Sequence, residues 1–69
     1  MNPTQSHVGK RVTVRNAEGA NLYGDVLAVT PTGAIMKVIK RYDGYHGWIT
    51  LKRPENQTIR GATVVSDGR

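Results

Sequence analysis

Cysteine is absent from this 69-residue chain, so neither a disulfide nor a thiolate metal site is open to it. Phe is absent as well, and one Trp with three Tyr leaves little aromatic area for a core. The only histidines, His7 and His46, lie far apart in sequence and offer no metal-ligand spacing. Glycines are scattered rather than gathered into a phosphate-cradling loop ahead of a helix, so no cofactor is expected. The five acids are scattered too, and no Ser/His/Asp set, Cys/His set or carboxylate pair stands in a catalytic context. The expectation is of a protein that is not an enzyme. No apolar run reaches the length of a membrane span. The chain does not open on a charged segment followed by an apolar one, so a cytoplasmic location with no membrane partner is expected.

What is present in excess is positive charge. Ten Lys and Arg against five acids leave a formal net charge of +5, which favours anionic partners. A chain of this length holds one domain and one small core. With no disulfide or metal to assist, homo-oligomerisation is a further route to burial.

Residues 1–7 are polar, contain Pro3 and show no periodicity, which reads as a flexible N-terminal arm or a single turn. From Val8 the pattern alternates: Val8, Lys10, Val12 and Val14 share one face and Gly9, Arg11, Thr13 and Arg15 the other, predicting a first strand. The turn-forming run Asn16 to Asn21 precedes a β-branched second strand from Leu22 to Thr30. Gly24 inside that strand predicts a bulge or a close backbone approach. Thr30-Pro31-Thr32-Gly33 predicts a chain reversal, and Ala34 to Arg41 a third strand whose apolar residues do not alternate cleanly. Asp43-Gly44 predicts a hairpin into a fourth strand, His46 to Leu51. Pro54 within Lys52-Arg53-Pro54-Glu55-Asn56 predicts a stop there and a short 3₁₀ turn before a last strand, Gln57 to Val65. A polar tail, residues 66–69, follows. The reading is all-β, with a domain over residues 8–65, because no window sustains a helical apolar stripe.

Five short strands, a long first loop, a tight turn, a hairpin and a 3₁₀ turn resemble the SH3-like small β-barrel superfamily. Within it, Gly9-Lys10-Arg11-Val12-Thr13-Val14 followed by Leu22-Tyr23-Gly24-Asp25-Val26 resembles the opening of Sm-like RNA-binding barrels, where a glycine in the second strand permits a sharp bend. The resemblance implies a five-stranded barrel. It does not extend to the N-terminal helix of Sm-like proteins or to their nucleotide-binding loop at Thr30 to Ala34. The type II dihydrofolate reductases resemble such barrels too, but Trp48-Ile49-Thr50-Leu51 stands where their pore-lining Val-Gln-Ile-Tyr would be.

The most function-like cluster is Lys37, Lys40, Arg41, Lys52 and Arg53 among Tyr42, Tyr45, His46 and Trp48. Cations neutralise phosphates, and exposed aromatic rings stack bases at about 1–3 kcal/mol each. Trp48 has a competing use, closing the end of a barrel too small to spare its largest side chain. Arg11 and Arg15 form a second basic stripe on strand one, which solvation or protection of a strand edge explains equally well. Asp25 and Asp43 are better explained by bulge and turn chemistry than by acid–base work. Two functions compete. One is a small basic module that binds DNA or RNA through the basic and aromatic hairpin. The other is a phage- or mobile-element-type interaction module, an adaptor or inhibitor of a host protein, whose partner presents an acidic or proline-rich surface.

Overall fold

Five strands form a single antiparallel sheet: β1 (Arg11–Arg15), β2 (Asn21–Thr30), β3 (Gly33–Asp43), β4 (Gly47–Arg60) and β5 (Thr63–Ser66). Their spatial order is β4-β3-β2-β1-β5, so the chain meanders through four strands and returns β5 to the far side of β1. The computed structural model describes residues 1–66, and all but Ser66 of the expected tail lies outside the described residues. The all-β reading holds, with one 3₁₀ turn, Gln5–His7, as the helical element among the described residues. Among the described residues no helix is long and apolar enough to cross a membrane.

The buried face follows from alternation. Val12 and Val14 of β1, Leu22 and Val26 of β2, Ala34, Met36 and Val38 of β3, Ile59 of β4 and Val64 of β5 meet in one core, joined by Ala62. Six of these side chains, Val12, Val14, Val26, Ala34, Met36 and Val38, are wholly buried, and no aromatic ring is among them. Aliphatic side chains fill the interior, and the aromatic ones are left for the surface.

Two irregularities explain why β3 does not alternate cleanly. Tyr23 faces Lys40 while Gly24 faces Val38, so Ile39 is an extra residue on β3. That bulge returns Lys40 to the same side as Lys37 although the two are three apart. A second shift lies at Leu27, between Val26↔Met36 and Ala28↔Ile35, and leaves Leu27 exposed. Gly24 fulfils both parts of its expectation. It adjoins the first bulge, and a Cβ there would overlap the Lys37 carbonyl.

Several strand boundaries differ from expectation. Strand one begins at Arg11 rather than Val8, because Gly9 takes φ +84° and Val8 makes only an isolated parallel bridge to Val26. The stop at Pro54 and the 3₁₀ turn after it are not formed: β4 runs unbroken from Gly47 to Arg60, and β5 is correspondingly shorter. The reason is the place of Pro54. Lys40 faces Thr50 and Val38 faces Glu55, so Leu51 to Pro54 have no register partner on β3 and the missing N–H costs no ladder bond. β4 is also an outer strand, where proline is tolerated. The hairpin forms after Asp43, but its left-handed residue is Gly47, at φ +80°, rather than the Asp43-Gly44 pair. The Asp43 carbonyl accepts from the His46 amide at 3.2 Å, and Asp43 Oδ1 from the Tyr45 amide at 2.9 Å.

Residues 1–7 lie against the sheet. Pro3 and His7 are buried, His7 Nδ1 accepts from the Thr4 amide at 2.9 Å, and the Met1 carbonyl accepts from the Val64 amide at 2.6 Å. The sheet is not closed by a ladder, and β4 and β5 are its two edges.

Candidate functional site

The face of the sheet away from the core carries the other half of each alternation. On β1 this places Arg11, Thr13 and Arg15 outward, across from Asp25, Tyr23 and Asn21 of β2. Tyr23 in turn faces Lys40, and Asp25 faces Lys37. Beyond them Tyr42 faces Trp48 on β4.

Three aromatic rings are contiguous on this face. Trp48 meets Tyr42 edge-on with centroids 5.5 Å apart, and Tyr23 with centroids 6.4 Å apart. Trp48 remains 43% exposed, so it surfaces the sheet rather than closing a barrel end, its competing use. The Lys40 ammonium stands 5.4 Å from the Tyr23 ring centre, a cation–π contact. Thr13, Tyr23, Lys40 and Trp48 bound a recess of about 230 Å³.

Charge surrounds the row unevenly. Arg11 donates to Asp25 through Nε at 2.9 Å and Nη2 at 3.2 Å, a bidentate pair. That guanidinium holds the Asp25 carboxyl below its ordinary 3.8, burial opposes the shift, and the nearby Arg11 and Lys37 charges add to it. Arg15 donates through Nε to Asn21 Oδ1 at 3.1 Å, which orients it without neutralising it. Among the described residues, Arg15, Lys37 and Lys40 are thus the cations of this face with no acid in a salt bridge, Lys37 acting on Asp25 only from across the ladder.

The expected hairpin residues are dispersed over several places. Lys37, Lys40, Tyr42 and Trp48 share the outer face just described, and Arg11 and Arg15, the second stripe in the sequence, join them there. Arg41 alternates to the opposite side, across from Leu22 and Ile49. Tyr45 and His46 sit on the turn, their rings 4.8 Å apart and edge-to-face. His46 Nδ1 donates to Asp43 Oδ2 at 3.0 Å. Lys52 and Arg53 lie exposed in the unpaired stretch of β4.

Two members of the face, Tyr23 and Thr13, were not among the residues singled out from sequence. A signal existed. Tyr23 alternates against Leu22 and Gly24, and folding β2 back on β1 sets it opposite Thr13.

No protein-family model, curated protein or solved structure matches this chain.

Proposed function

We propose that the protein is a non-catalytic module that binds nucleic acid, DNA or RNA, through the outer face of its sheet. The observation that carries this reading is the contiguous row Tyr23, Trp48 and Tyr42, with the unneutralised cations Arg15, Lys37 and Lys40 around it. Structural economy alone gives little reason to keep the largest side chains out of so small a core. Base stacking does, and backbone phosphates want the flanking cations. The turn residues Tyr45 and His46 and the strand residues Lys52 and Arg53 extend the contact at its margin. Arg41, on the other side, does not take part.

The same reading favours a small SH3-like barrel as the scaffold. Six side chains on one face of a single sheet are wholly buried, with no second sheet among the described residues to cover them, which a flat sheet does not achieve. Curling supplies the cover. The Ala17 amide donates to the Arg60 carbonyl at 3.0 Å, tying the β1–β2 loop to the end of β4 and drawing opposite parts of the sheet together.

The test is a fluorescence-anisotropy titration of labelled single- and double-stranded oligonucleotides at about 50 mM salt, where phosphate contacts are strong. Saturable binding is expected, weakened by Trp48→Ala and by Arg15→Gln. No binding to any strand would overturn the proposal and leave the aromatic row to an acidic protein partner.

A further inference from the structure

We propose that the recess bounded by Thr13, Tyr23, Lys40 and Trp48 is a slot for one unpaired nucleobase that bears a ring carbonyl, so that the nucleic acid taken is single-stranded. The proposal rests on the nucleic-acid reading above and adds to it a strandedness and a base class.

Size limits the occupant. At about 230 Å³ the recess falls below the range of roughly 300–1,000 Å³ typical of pockets for drug-sized ligands, and suits a single flat ring system. The walls select for flatness. Tyr23 and Trp48 are inclined at 69°, so a base stacked on one ring presents its rim to the other, as aromatic pairs prefer. A base within a duplex has both faces covered by its neighbours and cannot enter without being turned out.

The polar groups select the base. Lys40 lies half-buried beside the recess, and no acid among the described residues pairs with it. Its ammonium is held by nothing stronger than the Tyr23 ring. An ammonium only donates, so it is satisfied by an acceptor on the rim of the base. Thymine, uracil, guanine and cytosine offer a carbonyl oxygen. Adenine offers no carbonyl; its acceptors are ring nitrogens, and its exocyclic amine sets a donor beside N7. Thr13, about nine-tenths buried on this outer face, sets a hydroxyl-bearing side chain at the wall, able to donate or accept. In a partly desolvated site an ammonium set against the donor amine that flanks adenine's ring nitrogens is less well satisfied than one set against a carbonyl oxygen, and that difference is the source of discrimination.

The experiment compares anisotropy titrations of strands of about 15 nucleotides, a length within the span of one small barrel's site. The probes are oligothymidine, oligouridine, oligoadenosine, an abasic strand of equal length and an adenosine–thymidine duplex. Oligothymidine and oligouridine are expected to bind about five- to 150-fold more tightly than the abasic strand, the range for one stacked base. They should also exceed oligoadenosine several-fold. Lys40→Met, checked for folding by circular dichroism, should bring the thymidine and adenosine affinities together, whereas Arg15→Gln should lower both equally. Equal affinities for the abasic strand, the duplex and oligothymidine overturn the slot while leaving phosphate binding intact. Equal affinities for oligothymidine and oligoadenosine in the unsubstituted protein overturn the base selection. Failure of every strand to bind overturns the parent reading instead.

Discussion

At Gly24 the chain runs so close to β3 that any side chain would overlap the Lys37 carbonyl, and a hydrogen is what the space admits. Gly24→Ala must push two neighbouring strands apart or distort the adjoining bulge, at a cost of about 1–3 kcal/mol. Urea denaturation should show the midpoint falling with little change in slope. The displacement also moves Tyr23, so oligonucleotide affinity should fall in parallel. Asp25 and Asp43 support a second expectation. Arg11 lowers the first carboxyl through its hydrogen bonds; His46 and the Tyr45 amide lower the second. Both groups therefore bind protons less readily folded than unfolded. Their stabilisation is complete above the ordinary value of 3.8 and is lost as pH falls below it through the folded values. Thermal melts between about pH 2 and 5 should show the melting temperature dropping on the acid side, and the drop should shrink in Asp25→Asn with Asp43→Asn. Gly24 was legible in sequence because glycine inside a β-branched run has few other uses. Tyr23 was not, since its partners Trp48 and Lys40 lie on strands whose register depends on a bulge at Ile39 that no local pattern announces.

The β3–β4 hairpin is the element on which the candidate site depends, because it delivers Lys40, Tyr42 and Trp48 to the face that β1 and β2 began. Its turn is held by Asp43 acting on the Tyr45 and His46 amides and by Gly47 in the left-handed region. Gly47→Ala should cost about 1 kcal/mol, a backbone effect felt at one end of the hairpin. Hydrogen exchange should show faster opening at the tip, while amides of β1 and β2 keep their protection. That the chain turns after Asp43 was readable from turn chemistry alone. The length of β4 was not. Pro54 signals a break wherever the strand around it is fully paired, and here it falls in four residues that β3 leaves unpaired. Whether a proline ends a strand is thus decided by its neighbour, which a local reading does not see.

For the molecule as a whole, stability and binding draw on different residues. Met36 is the largest wholly buried side chain. Met36→Ala should cost about 2–5 kcal/mol, a large part of what a domain this small has at roughly 0.05–0.15 kcal/mol per residue. The variant should be partly unfolded at ambient temperature by circular dichroism. Binding should respond instead to charge. The sequence suggests five phosphate contacts clustered at the hairpin, but among the described residues the outer face presents three cations outside any salt bridge, Arg15, Lys37 and Lys40. For a single strand, three contacts give a slope of log affinity on log salt near −2, or about a 20-fold loss between about 50 and 200 mM, and each marginal contact from Lys52 or Arg53 steepens it by about 0.7. Asp25→Asn releases Arg11 and should steepen that slope by about 0.7 while raising affinity at low salt. The fold class and strand sequence were legible because alternation and turn residues are local. The gathering of Arg11, Arg15 and the aromatic row on one face was not, because it arises from the pairing of four strands.

The hydrophobic core contains no Tyr or Trp ring, and the chain's one tryptophan, Trp48, stands half-exposed in the candidate site. The protein is in this sense its own optical probe. Indole emission reports occupancy of the sheet face and is nearly blind to the state of the core, whereas far-ultraviolet dichroism reports the sheet. A quench on adding oligonucleotide without a change in dichroism separates ligand from fold in one unlabelled sample. In a thermal scan, indole emission that changes ahead of the dichroism would mark the hairpin as a unit that loosens before the strands beneath it.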